Sequence, residues 1–152
     1  MIRRKAREAA FKMLFQAEGR FSEVLKGLEE EIALFYQLQG GVPHRQKKFV
    51  RHLVEGTLRN REELDRAIES AGSNWRLDRM GRSEKTLLRM GIFEYWYGDQ
   101  NGEEVPREIV IDEVVELAKI YAGEEAAAFV NGVLDAVARR FTKPSARKRE
   151  TV

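Results

Sequence analysis

The stretch RSEKTLLRMGIFEYWY, Arg82–Tyr97, decides the fold. Its first turn is polar, but from Leu87 onward apolar side chains fall on nearly every side: Leu87, Leu88, Met90, Ile92, Phe93, Tyr95, Trp96 and Tyr97, with Gly91 among them. A helix that is apolar all round has to be enclosed by other elements. The stretch is too long for an ordinary strand and too short and too charged at its start to span a bilayer. Ser83 is the expected N-cap, with Glu84 in the electropositive first turn, and Gly98 with Asp99 is the expected stop. The rest of the chain should pack around this helix.

Upstream, residues 3–18 have helix-forming composition, with Ala6, Ala10, Met13, Leu14 and Ala17 recurring at three- and four-residue steps. Ser22 is expected to cap a second helix reaching about Gln39, and GGVPH (40–44) reads as a loop. From Val50 to Ala71 one helical period persists, which predicts a single long third helix. The segment AGSNWRLDRMG (71–81) reads as a hinge anchored by Trp75 and containing at most one helical turn. Downstream, a helix over 109–121, with Asp112 as candidate cap and Tyr121 on its buried face, and another over 124–141 are expected. No alternating strand pattern occurs. The sequence predicts an all-α fold of two packed antiparallel three-helix-type bundles, residues 1–72 and 73–141, followed by a disordered basic tail over 142–152.

Composition narrows the function classes. A chain of 152 residues buries enough surface to fold without staples. It has no cysteine, which excludes disulfides, thiolate metal sites and a Cys nucleophile. The absence of a secretory-type apolar block or a membrane-length run leads to the expectation of a soluble cytoplasmic protein. The net charge of +2 hides a polarised distribution: residues 1–20 carry +4, residues 139–152 carry +5, and the body between them carries −7. Basic ends on an acidic body suit an anionic partner met at particular places.

Chemistry-bearing constellations are thin. His44 and His52 lie eight residues apart, not at the spacing of a helical zinc pair, and GRSEKT (81–86) lacks the order of a phosphate loop. Glu94, among Phe93, Tyr95 and Trp96, reads either as a desolvated acid with a raised pKa or, the preferred expectation, as a carboxylate bound to backbone amides at a neighbouring helix start. Asp112, Glu113 and Glu116 are explained by the helix dipole. No catalytic activity, metal or cofactor is expected. Binding is better supported, because the basic N-terminus lies on a helix and can present guanidinium forks to phosphates.

Taken in order, RRKAREAAFKMLFQ, NWRLDRMGRSEKTLLRMGIFEYWY, IDEVVELAKIYA and FVNGVLDAVA resemble the NusB family of transcription antitermination factors over residues 3–140. The resemblance implies an all-α fold, binding to the boxA element of nascent ribosomal RNA transcripts, and partnership with NusE, a small-subunit ribosomal protein, in a transcription elongation complex. It further implies that Arg3, Arg4, Lys5 and Arg7 contact RNA and that Phe129 lies at the RNA surface or in the core. Asn131 and Gly132 then serve helix packing, with Asn131 also able to reach RNA, and Glu125 borders the site and moderates affinity. Phe15, Glu84 and Arg89 are implied as NusE contacts, each with a structural alternative. One departure stands out: many relatives carry Lys before the FVNG phenylalanine, where this chain has Ala128. Two other readings compete, an RNA-recognition appendage of a cytosine methyltransferase and a protein-only scaffold. The resemblance leaves a monomer and a homodimer both open.

Overall fold

The structure is a computed structural model that describes residues 3–72 and 74–141. The basic tail over 142–152 lies outside the described residues. The described chain is all-helical: α1 (Arg4–Gln16), α2 (Phe21–Lys26), α3 (Leu28–Leu38), α4 (Lys47–Arg59), α5 (Arg61–Ser70), α6 (Arg82–Tyr97), α7 (Arg107–Tyr121) and α8 (Glu124–Arg140). Single 3₁₀ turns at His44–Gln46 and Leu77–Arg79 precede α4 and α6.

The enclosed helix is α6, buried continuously from Thr86 to Glu94. It packs against α1, α4 and α5 on one side and against α7 and α8 on the other. Two glycines permit these approaches. A Cβ on Gly56 of α4 would sit 1.9 Å from the Phe93 ring, and one on Gly91 would touch Leu134 and Val114 at 3.3 Å. The α6 stop is where the sequence places it, at Gly98 with φ +75°, the left-handed region open to glycine.

Two expected helices are broken. The one over 22–39 divides at Gly27, after which Glu29, Glu30 and Glu31 fill the first turn of α3. The long third helix divides at Asn60, whose side-chain amide donates to the Gly56 carbonyl at 2.7 Å and closes α4. The apolar period survives that break because Leu64 and Ile68 of α5 remain fully buried. The caps also move. Gly81, not Ser83, is the N-cap of α6, and its N–H donates to the Glu84 carboxylate at 2.7 Å. Arg20 rather than Ser22 precedes α2, and Asp112 lies within α7, which begins after Pro106. Tyr121 is 37% exposed instead of buried.

Candidate nucleic-acid interface

Charge on α1 is sorted by helical position. The first turn contains no acid, so its cations face the positive end of the helix dipole and gain only by finding partners elsewhere. Arg7 points inward. Its Nε and Nη2 donate to the two Glu94 carboxylate oxygens at 2.8 and 2.5 Å, and the two side chains are 3% and 0% exposed. This bidentate pair spans α1 and α6 and corrects two expectations. Arg7 has no surface with which to meet RNA, and Glu94 is satisfied by a guanidinium, not by backbone amides.

Arg3 and Arg4 sit on either side of that pin. Arg3 donates to Asp99 at 3.4 Å and lies 4.3 Å from the centre of the Phe49 ring. Burial pushes the Asp99 carboxyl up, but the backbone N–H groups of Glu103 and Asn101 and the Arg3 guanidinium outweigh it, and its pKa ends below the usual carboxylate range. Arg4 forks onto Glu113 at 3.3 and 3.0 Å, and with a side chain 47% exposed it keeps an open face. The Glu113 hydrogen bond and charge raise the Arg4 pKa further. Lys5 is exposed and makes no ion pair among the described residues.

An open groove of about 640 Å³ runs beside Arg4, lined also by Asp112, Glu113, Glu116, Lys119, Glu124 and Asn131. Glu113 is neutralised by Arg4 and Glu116 by Lys119 at 3.2 Å, which leaves Asp112 and Glu124 facing the groove as carboxylates without ion pairs among the described residues. Ala128 lines the same groove and supplies no cation. Asn131 and Gly132 are exposed, and a Cβ on Gly132 would meet nothing within 4 Å. The expected packing role for these two is therefore replaced by a surface one. Phe129 is half-buried and edge-on to Trp75, with centroids 6.3 Å apart. Glu125 is exposed in the first turn of α8.

The residues implied as partner contacts divide in the same way. The half-buried Phe15 ring lies 4.5 Å from the Arg82 guanidinium, whose Nε donates to the Phe15 carbonyl at 2.8 Å. Glu84 is partly exposed but already holds the α6 N-cap. Arg89 is 6% exposed and is not a solvated residue. It donates to Asp65 at 2.7 and 3.2 Å and to Glu18 at 2.9 Å, while Lys85 also reaches Glu18 at 3.2 Å. Burial pushes the Glu18 pKa up, yet Arg89 and Lys85 together bring it below the usual range. Sequence spacing does not pair these groups: Glu18 follows α1, while Asp65 and Arg89 lie in the middle of α5 and α6.

The fold and this surface define an all-helical two-bundle protein that offers a guanidinium and an ammonium group from one helix end. The chain belongs to the NusB family, whose model matches residues 4–139. It is 42% identical over 142 residues to Transcription antitermination protein NusB of Myxococcus xanthus, covering 93% of this chain and 98% of that one. It is 40% identical over 136 residues to the NusB of Sorangium cellulosum, covering 90% and 91%. Among solved structures, T. maritima NusB superposes with a TM-score of 0.75 at 31% identity, covering 97% of this chain and 96% of that one. A crystal structure of the antitermination factors NusB and NusE in complex with dsRNA gives 0.75 at 29%, covering 92% and 98%.

Proposed function

We propose that this protein is an RNA-binding transcription antitermination factor that joins NusE on the boxA element of nascent ribosomal RNA transcripts and supports read-through by the elongating polymerase. One observation carries the RNA reading. Arg4 and Lys5 are held outward on a helix whose inner arginine, Arg7, is fixed by the buried Glu94 pair. Fixed cations bind phosphate without first losing backbone freedom. Asn131 lines the Arg4 groove as an amide suited to a splayed base, and Phe129 of the same helix is a half-buried ring set edge-on to Trp75. The names of the relatives and the NusB–NusE–dsRNA neighbour support the same assignment. For NusE, the Phe15 ring under Arg82 and the adjoining Glu84 turn form the contact face, with Arg89 bracing it from behind.

The test is binding of boxA RNA against a scrambled RNA of equal length, with and without NusE, for the native chain and for Arg4→Glu with Lys5→Glu. Both positions are exposed, so helicity should persist, whereas a charge reversal at Arg7 would unfold the bundle. Native protein should prefer boxA, bind more tightly with NusE, and lose affinity as salt rises. Equal binding of the two RNAs would favour a protein-only scaffold, and an unaltered double variant would remove α1 from the site.

A further inference from the structure

The groove beside Arg4 is short of positive charge, while a second surface at the same end of the molecule has it in excess. From residue 32 to 54 the chain holds no acid but contains His44, Arg45, Lys47, Lys48, Arg51 and His52. Arg51 is neutralised by Glu29 and Glu55, and Lys47 lies 4.5 Å from the Tyr36 ring. Arg45 and Lys48 are exposed and make no ion pair among the described residues. The six helices α2, α3, α5, α6, α7 and α8 each carry acid in the first turn, and only α1 and α4 carry none. Placing Lys47 and Lys48 at the positive end of α4 opposes the helix dipole, so folding alone does not favour that choice.

The fold brings these two acid-free ends together. α1 packs along α4, and the Arg3 guanidinium rests over Phe49, the residue after Lys48. Lys5 and Lys12 of α1 line a groove of about 230 Å³ whose far wall is Gln39, Gly40, Gly41 and Val42, immediately before the Pro43–His44 step that leads into α4. Glu8 is the one carboxylate in that groove, and it accepts a hydrogen bond from the Tyr121 hydroxyl.

We infer that Lys5, Lys12, Arg45 and Lys48 form a second phosphate-contact strip, which receives the single-stranded RNA as it leaves the Arg4 corner. The inference rests on the RNA reading above and extends the strand's path across α1 to the start of α4. Lys5, Arg45 and Lys48 are exposed and make no ion pair among the described residues, and the half-buried Lys12 reaches the Gln39 amide oxygen at 3.5 Å, so the strip holds the backbone without reading bases. This division gives affinity to the strip and sequence choice to the groove beside Arg4, which Asn131 lines.

The experiment compares a short boxA-type RNA with the same RNA extended at each end by about twenty nucleotides, longer than the roughly 4–16 nucleotides of a compact single-strand site. Both are titrated against native protein, Arg45→Gln with Lys48→Gln, and Arg66→Gln. Arg66 is an exposed cation on α5 and serves as the control. Native protein should bind the extended RNA more tightly. The double variant should bind the short RNA as before and lose the advantage of extension. Its salt slope should fall by roughly 1.4 for two lost single-strand contacts, about sevenfold between 50 and 200 mM salt. Unchanged slope and length dependence in the double variant, or an equal loss in Arg66→Gln, would overturn the strip. Native protein that binds neither RNA would instead overturn the RNA reading itself.

Discussion

Glu94→Gln tests the pin on which the outward cations depend. The substitution removes the charge opposite Arg7 while leaving the side chain's shape almost unchanged. Both Glu94 oxygens are used, at 2.8 and 2.5 Å, and the Arg7 side chain is 3% exposed, so water cannot replace the lost partner. Breaking one side of a buried pair costs about 3–5 kcal/mol. At roughly 2–4 °C per kcal/mol for a chain of this size, the melting temperature should fall by about 6–20 °C. Thermal and urea unfolding followed by circular dichroism measure it. The companion is Arg7→Met with Glu94→Leu, which replaces the pair by apolar groups of similar volume and should regain most of the loss. The same double variant should bind RNA as the native chain does, because Arg4 and Lys5 are untouched. A melting temperature for Glu94→Gln within about 2 °C of native would show that the pair is hydrated. A stable double variant with greatly weakened RNA binding would return Arg7 to the contact surface.

Gly56→Ala should destabilise by about 1–3 kcal/mol, because the new Cβ falls 1.9 Å from the Phe93 ring; a native-like urea midpoint would contradict the α4–α6 approach. Acid should weaken the fold in a defined window. Glu18 and Asp99 have depressed pKa values in the folded state, so their contribution is complete above the ordinary carboxylate range and is lost as pH falls through it. Unfolding free energy should therefore begin to drop near pH 4 to 5, from roughly the unfolded Asp and Glu values downward. Glu18→Gln should flatten that decline, and an unchanged pH profile would rule out the Arg89 and Lys85 pairing as its source. Glu113→Gln frees the Arg4 guanidinium and should tighten RNA binding severalfold, most visibly at low salt; weaker binding would mean that Glu113 orients Arg4 instead of competing for it.

The helix content and the central place of Arg82–Tyr97 were legible in the sequence. Composition and period are local properties, and a run apolar on every side admits only an enclosed helix. The sequence motifs were likewise enough for the family. The breaks at Gly27 and Asn60 were not legible, since the apolar period continues across both while the backbone turns. What only the tertiary structure decided is which cations are free. Arg3, Arg4, Lys5 and Arg7 are close to equivalent in sequence, yet Glu94, Asp99 and Glu113, some 90 to 110 residues away, claim three of them and leave Lys5 exposed. Arg89 is taken out of the partner surface in the same way by Asp65 and Glu18. A charge is a property of one residue, but its availability depends on which distant carboxylate the fold places within reach.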